Sequence, residues 1–205
     1  MQSALLESVR QKAANHVDVF ETYFKDNAEQ IVLAAHILSD MYASKGRLFT
    51  MGNGGSSCDA AHVAVEFLHP VTAGRPALTA VNLTTDVAMM TAVGNDVGYE
   101  HIYVRQIIAQ GREGDCLIGL STSGNSANLM RAFTKASEMG LKTLGLAGMS
   151  GGEMAKAGLD ACLVVSSDSI HRIQECHVAT YHILWDLVHT LLADGRGDLK
   201  TKESK

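Results

Sequence analysis

The stretch RLFTMGNGGSSCDAAHVAVEFLHP, residues 47–70, joins three local patterns in one short run. It begins with the apolar segment 47–52, which predicts a buried strand. The glycine-rich turn GNGGSS (52–57) comes next, and residues 57–68 then follow helical periodicity. A strand, a tight turn and a helix in this order are the repeating unit of α/β folds, so the stretch predicts that fold class.

The same alternation continues along the chain. Short apolar runs bounded by Gly, Ser or Asp predict strands at residues 47–52, 77–83, 115–121, 142–148 and 160–166. Helical periodicity predicts helices at residues 57–68, 86–93, 99–111, 126–139, 151–157 and 170–193. Strands that are apolar throughout are buried on both faces. We therefore predict a doubly wound α/β fold, with a five-stranded parallel sheet flanked by helices.

The residues before the first strand also have helical spacing. Segment 3–45 predicts two helices with a break at Asp26 and Asn27, and hence an N-terminal helical hairpin. Both helices carry enough apolar positions to require a partner surface. We expect a single domain over residues 1–197, including this hairpin, and a polar tail over residues 198–205.

Composition limits the class of protein. The 205 residues are 46% hydrophobic with only two prolines, which indicates a compact globular chain with a sizeable core. The net charge of −5 and the lack of a Lys/Arg run argue against a nucleic-acid partner. We expect no membrane segment, since no run of about 18 apolar residues occurs. The four cysteines form no CxxC pair, three of them lie in apolar stretches, and we expect a reducing cytoplasm.

Two loops follow predicted strands and open predicted helices: GNGGSS (52–57) and STSGNS (121–126). Ligands of doubly wound folds bind at the carboxyl ends of the strands, and helix N-termini attract phosphate groups. Neither loop matches the P-loop or the dinucleotide fingerprint, and no Lys follows either one. The pattern favours a phosphate ligand that is not a nucleotide. The alternative is that Ser126 caps a helix and both loops are ordinary turns.

A second polar pattern lies on two of the predicted helices. His62 and Glu66 are four residues apart, so they share one helical face and can reach one ligand or metal. A surface pair or a half-buried histidine is the commoner explanation of such spacing. The last helix strengthens the ligand interpretation, because polar residues that need partners interrupt its apolar positions. These residues are Gln174, His177, Tyr181 and His182.

Four motifs in this order resemble the sugar isomerase (SIS) domain family. They are GNGGSSCDAAH with Glu66 (52–66), GND (94–96), STSGNSAN (121–128) and RIQECH with His182 (172–182). The resemblance covers nearly the whole chain and is greatest to the branch that acts on seven-carbon sugar phosphates. It implies an SIS-type, flavodoxin-like fold and a homotetramer with N-terminal helices in the subunit interface and active sites near it.

The resemblance also implies roles for individual residues. The implied sugar-phosphate contacts are Asn53, Gly54, Gly55, Ser56, Glu66, Asn95, Asp96, Ser121, Thr122, Ser123, Ser126 and Gln174, with the four hydroxyl residues of 121–126 on the phosphate. The implied ligands of one Zn²⁺ per subunit are His62, Glu66, Gln174 and His182. Such a donor set suits zinc. Gln174 and His182 are about 12 Å apart along a helix axis, which favours a site completed by a neighbouring subunit.

The implied activity is aldose–ketose isomerisation of sedoheptulose 7-phosphate to D-glycero-D-manno-heptose 7-phosphate, as in heptose and lipopolysaccharide biosynthesis. An enediol-type proton transfer needs a base at carbon, a proton donor at oxygen and a group that stabilises negative charge. Glu66 as base, His182 as acid and zinc would supply all three. Because a zinc-bound carboxylate is a weaker base, His182 as the base stays open.

Two non-catalytic hypotheses compete with this one. A related SIS branch binds a replication-initiator protein as a tetramer, and a sugar-phosphate sensor would bind through STSGNS and be indifferent to Glu66→Gln. Two departures from the family leave the exact sugar phosphate open. Several relatives have an Arg directly after the Glu-bearing helix, whereas here Pro70 stands there and Arg75 comes later. Some also have an Asp where this chain has His171.

Overall fold

The five predicted strands form one parallel sheet in the order β2-β1-β3-β4-β5. The computed structural model describes residues 1–194. The strands are β1 (Leu48–Gly52), β2 (Ala80–Asn82), β3 (Cys116–Ser121), β4 (Lys142–Gly148) and β5 (Ala161–Val165). The α-helices are α1 (Gln2–Ala43), α2 (Gly55–Leu68), α3 (Val87–Asp96), α4 (Val104–Gln110), α5 (Ala127–Glu138) and α6 (Ile170–Asp194). Two 3₁₀ turns, Tyr99–His101 and Met154–Lys156, complete the elements of the described residues.

Helices cover both faces of the sheet, as the doubly wound prediction requires. Apolar side chains of α1, α2 and α6 pack on one face, with Leu38, Phe67 and Leu184 among the buried ones. Side chains of α3, α4 and α5 pack on the other, including Ile107 and Phe133. All residues of β1 and β3 are buried, which explains why these strands are continuous apolar runs in the sequence. The predicted fold class is confirmed.

The central strand has a glycine where a helix comes closest. Gly119 in β3 lies under the ring of Phe133 from α5, and a Cβ atom at residue 119 would collide with that ring. In the register of the sheet, Gly119 is paired with Gly145 of β4. The missing side chain at Gly119 lets α5 pack close to the sheet, whereas Gly145 makes room for Met154 and Leu159.

The predicted N-terminal hairpin is wrong. α1 is one continuous helix of 42 residues. Asn27, at the predicted break, instead uses its side chain at the edge of the sheet. Its amide nitrogen donates to the carbonyl of Tyr23 (3.0 Å) and to that of Val164 (3.5 Å), and its oxygen accepts from the backbone N–H of Val164 (3.4 Å). The asparagine therefore covers the open edge of β5 without interrupting the helix.

The helix predicted over 151–157 is also mostly wrong. Only the 3₁₀ turn Met154–Lys156 forms there, because Gly151 and Gly152 have φ of 82° and 55°, which an α-helix does not allow. At the other end of the chain, α6 runs to Asp194, and the predicted tail 198–205 lies outside the described residues.

The cysteines are all unpaired. Cys116 and Cys176 are buried, Cys162 is half-buried and Cys58 is exposed. Burial raises the pKa of the Cys162 and Cys176 thiols to about 11, so these groups stay protonated at neutral pH. Among residues 1–194, no helix combines the length and the apolar character needed to span a bilayer.

Candidate active site

The two predicted loops meet at the carboxyl ends of neighbouring strands. GNGGSS joins β1 to α2, and STSGNS joins β3 to α5. Because β1 and β3 are paired in the sheet, their loops lie side by side. Gly54 has φ of 55°, which a glycine adopts without strain and which turns the chain into α2. Gly54 and Gly55 are exposed at this edge, and Ser56 is buried within the first turn of α2.

A pair of asparagine side chains joins the two loops. Asn53 and Asn128 each donate an amide hydrogen to the other's oxygen, both at 2.9 Å. The Tyr99 hydroxyl also donates to Oδ1 of Asn53 at 3.2 Å, and the backbone N–H of Leu129 donates to Oδ1 of Asn128 at 3.0 Å. Asn128 is only 3% exposed. Asn128 belongs to the STSGNSAN motif, but the sequence alone does not indicate its role, since its pairing with Asn53 spans 75 positions.

The STSGNS loop directs hydroxyl groups toward the start of α5. Ser126 is the N-cap residue of α5, but its side chain makes no capping bond. Instead Oγ of Ser126 lies 3.1 Å from Oγ of Ser121, and the N–H of Gly124 donates to Ser121 at 3.2 Å. Thr122 and Ser123 are half-buried. The capping alternative therefore does not account for Ser126, and the loop presents hydroxyls and free helix N–H groups that suit a phosphate.

Three of the four residues implied as metal ligands come together within one chain. Nε2 of His62 lies 3.0 Å from Oε1 of Glu66, and the ring centroids of His62 and His182 are 5.0 Å apart. One ligand atom from each of these three side chains lies within 4.8 Å of the others. Atoms bonded to one zinc lie roughly 3–4 Å apart, so this cluster of two imidazoles and a carboxylate fits zinc with small side-chain movements.

Gln174 lies at the other end of the α2–α6 contact. A Cβ atom on Gly55 would collide with Nε2 of Gln174, so the side chain packs against the start of α2. Gly55 precedes His62 by seven residues, which is about 10 Å along a helix. Gln174 is therefore beside the glycine-rich loop, and its joining the other three ligands, within this chain or through a neighbouring subunit, stays a prediction.

Tyr181 contacts the cluster from the core. Its hydroxyl oxygen lies 2.8 Å from Nδ1 of His62. Burial and the nearby carboxylates of Asp59 and Glu66 raise the pKa of Tyr181 well above its usual value, so the hydroxyl stays protonated. In the sequence Tyr181 is a polar interruption of α6, but nothing there assigns it to the site, since its partner lies 119 positions away.

His177, another polar residue of α6, is hydrogen-bonded to the sheet. It is fully buried, and its Nε2 lies 3.1 Å from the carbonyl oxygen of Ala147 at the end of β4. Burial lowers the pKa of His177 to about 4. The ring is thus neutral at physiological pH and donates from Nε2 to that carbonyl, which is a structural role.

Other predicted positions lie farther out. Asn95 and Asp96 are exposed at the end of α3, where the Asn95 amide donates to Asp96 at 2.8 Å. Among the hydrogen bonds of residues 1–194, none joins them to the other predicted site residues. Arg75 stacks over the ring of Trp185 at 4.4 Å, and the indole N–H of Trp185 donates to the carbonyl of Glu66 at 2.8 Å. His171 is exposed on α6.

Comparison with known proteins finds matches along nearly the whole chain. Residues 13–148 match the family described as SIS domain. The phosphoheptose isomerase of Helicobacter pylori strain Shi470 is 39% identical over 186 residues, covering 91% of this chain and 96% of that protein. A phosphoheptose isomerase structure from Neisseria gonorrhoeae superposes with a TM-score of 0.84 at 37% identity, over 91% of this chain and 99% of that one. A phosphoheptose isomerase structure from Francisella tularensis superposes with a TM-score of 0.86 at 32% identity, over 90% of this chain and 98% of that one.

Proposed function

The chain belongs to the SIS domain family, as a phosphosugar isomerase of the phosphoheptose isomerase type, and we propose that it converts sedoheptulose 7-phosphate to D-glycero-D-manno-heptose 7-phosphate. The observation that carries this proposal is the position of the His62, Glu66 and His182 cluster. It lies on helices that adjoin the GNGGSS loop, which is bonded through Asn53 to the start of α5. Such a site has one end for a phosphate and one for proton transfer.

The phosphate end is formed by the STSGNS loop. Ser121, Thr122, Ser123 and Ser126 carry the hydroxyl groups that would donate to the phosphate oxygens. The N-terminus of α5 adds backbone N–H groups and about half a positive charge. This arrangement binds a dianion without a lysine, which agrees with the absence of a Lys after the loop. Asn53, Gly54, Gly55 and Ser56 would contact the sugar from the neighbouring loop, and Asn95 and Asp96 from the end of α3.

The reacting end would hold one Zn²⁺ through His62, Glu66 and His182, with Gln174 as the proposed fourth ligand. The bound ion would polarise the substrate oxygens and stabilise negative charge on them during the proton transfers. The structure supports this donor set through the mutual proximity of the three ligand atoms and their chemistry.

The proton transfers would be performed by Glu66 and His182. The Glu66 carboxylate would remove the proton from one of the two reacting carbons and return it to the other. His182 is exposed at the end of the cluster, so it can exchange a proton between the two substrate oxygens. Glu66 is half-buried, and its Oε1 lies 3.0 Å from Nε2 of His62. In the alternative assignment, His182 is the base at carbon.

Turnover of sedoheptulose 7-phosphate by metal-free and zinc-reconstituted protein tests the proposal. We expect zinc-dependent product, and a loss of about 100-fold or more in kcat for Glu66→Gln. Glu138→Gln is the matched control, because Glu138 is exposed and, among the ion pairs of residues 1–194, pairs with Lys135 on the same helix. If folded, zinc-loaded protein has no turnover, the substrate assignment is wrong; if Glu66→Gln retains full activity, the catalytic assignment is wrong.

We further propose that the protein is a homotetramer of cytoplasmic location in which α1 forms subunit contacts. The first half of α1 extends beyond the core and exposes apolar side chains, and α1 is buried only from Tyr23 onward. The exposed apolar residues are Leu5 (62%), Leu6 (54%), Val9 (66%) and Val17 (56%). A stripe of this kind on a helix is typical of an interface. Active sites near this interface could then receive residues from a neighbouring subunit.

A further inference from the structure

The hydroxyl group of Tyr181 has a contact that none of the assigned roles explains. Its oxygen lies 2.8 Å from Nδ1 of His62, on the ring nitrogen opposite the one that faces Glu66. Tyr181 is 2% exposed, and its ring packs edge-on against His62 at 5.1 Å and against His182 at 4.9 Å. The side chain is therefore held between the two histidines of the cluster.

The chemistry of imidazole gives this contact a direction. A neutral ring has one protonated nitrogen, and the other nitrogen carries the lone pair that binds a metal. His62 points Nε2 at Glu66, so Nε2 is the nitrogen that would bind the ion. Nδ1 must then carry the proton, and it requires an acceptor. Among the described residues, the Tyr181 oxygen is the hydrogen-bond partner of Nδ1.

We propose that Tyr181 is a positioning residue that holds His62 in the Nδ1-protonated tautomer, with Nε2 directed at the metal. The inference rests on the proposed metal site and adds a residue that the site needs. Tyr181 acts through His62 and touches neither the substrate nor the ion. Groups that orient metal-binding histidines in this way typically change metal affinity 10- to 100-fold when they are removed.

The position of Tyr181 on α6 supports this role. It directly precedes His182, so one helical turn supplies one ligand and the group that orients another. Both α6 residues approach α2 at His62, which makes the orientation of that ring depend on the packing of the two helices. Tyr181 itself is 2% exposed, so the packing around its ring fixes the position of the hydroxyl beside Nδ1.

Tyr181→Phe tests the proposal, because it removes the hydroxyl and keeps the ring. The zinc dissociation constant is measured by competition with a chromophoric chelator, and we expect it to rise about 10- to 100-fold. Tyr23→Phe is the matched control. Tyr23 is also buried, and its hydroxyl lies 2.8 Å from Oγ1 of Thr180, the residue next to Tyr181. Among the hydrogen bonds and ring contacts of residues 1–194, none joins Tyr23 to His62, Glu66 or His182.

Proton NMR of the zinc-loaded protein gives a second readout. In the wild type, the Nδ1–H proton of His62 should be protected from exchange with water. In Tyr181→Phe it should exchange faster, while Tyr23→Phe leaves it unchanged. Equal affinities and equal exchange in the two variants would overturn the role of Tyr181 and leave the metal site standing. A wild type that binds no zinc would overturn the metal site itself, and this inference with it.

Discussion

Asn128 is the residue on which the link between the two loops depends. Replacing it by Asp keeps the size of the side chain but removes the hydrogen that Asn128 donates to Oδ1 of Asn53. The new carboxylate would face that oxygen and add negative charge beside the proposed phosphate position. We expect Asn128→Asp to raise KM for the sugar phosphate roughly 10-fold or more, because this carboxylate would repel both the Asn53 oxygen and the phosphate.

Steady-state kinetics of Asn128→Asp and of Gln110→Glu measure this effect. Gln110 is exposed at the end of α4, so Gln110→Glu makes the same change of charge away from the site. An Asn128→Asp enzyme whose KM equals that of the control would show that the asparagine pair does not support substrate binding.

His177 makes stability depend on pH. Burial lowers the pKa of His177 in the folded protein to about 4, whereas the pKa of a histidine in the unfolded chain is 6.5. Between these values the unfolded chain binds a proton that the folded chain does not, so the free energy of unfolding falls as pH decreases from about 6.5 to 4. The full loss is about 3 kcal/mol and is complete below the folded pKa.

Urea unfolding of metal-free protein at pH 7.5 and 4.5 checks this prediction. His177→Gln can still donate to the Ala147 carbonyl but does not titrate, so its pH dependence should be smaller by about 2–3 kcal/mol. His36→Gln, at an exposed position of α1, should keep the dependence of the wild type. If the free energy of unfolding changes equally between the two pH values in His177→Gln and in the wild type, His177 is not the source of the pH dependence.

At the scale of elements, the sheet could be predicted because its central strands β1, β3 and β4 are almost entirely buried on both faces and therefore continuous in apolar residues. The start of α2 could be predicted from the glycines of its turn. The hairpin in α1 could not be rejected from sequence, because an Asn inside a helical pattern indicates a turn unless a distant strand receives its side chain. Val164 lies 137 positions from Asn27.

The same distinction between local and long-range contacts applies to the site residues. His62 and Glu66 could be identified as a pair because α2 alone sets their spacing. The approach of His182 to His62 depends on how α2 and α6 pack, and the spacing of residues within one helix does not indicate that packing. Tyr181 and Asn128 were missed as positioning groups for this reason, since each acts through a partner on another element.

Asn27→Ala tests the contact of α1 with the edge of β5. It removes the bonds to both backbone groups of Val164 without changing the helix propensity unfavourably. We expect the free energy of unfolding to fall by about 1–2 kcal/mol, measured by urea denaturation. Asn15→Ala, at an exposed position of the same helix, should not lower it. A loss no larger than in Asn15→Ala would mean that the edge contact contributes nothing to stability.

At the scale of the whole molecule, the exposed stripe of α1 predicts assembly. Leu5 and Val9 are four residues apart and 62% and 66% exposed. Replacing both by Glu would place two charges in the proposed interface. Charges without partners are costly to bury, so we expect Leu5→Glu/Val9→Glu to lower the mass measured by light scattering. Ser3→Glu/Gln11→Glu is the control on the same helix. A double variant that keeps the wild-type mass would place the interface elsewhere.

The contact between α2 and α6 has a consequence for the chain as a polymer. His62 and Tyr181 are 119 positions apart, and the proposed ion would tie the same two helices together at His62 and His182. A tie of that span removes conformational freedom from the unfolded chain, much as a disulfide does, but a chelator can undo it. The thermal midpoint would then rise with free zinc concentration and drop on chelation, so the metal would act as a reversible crosslink.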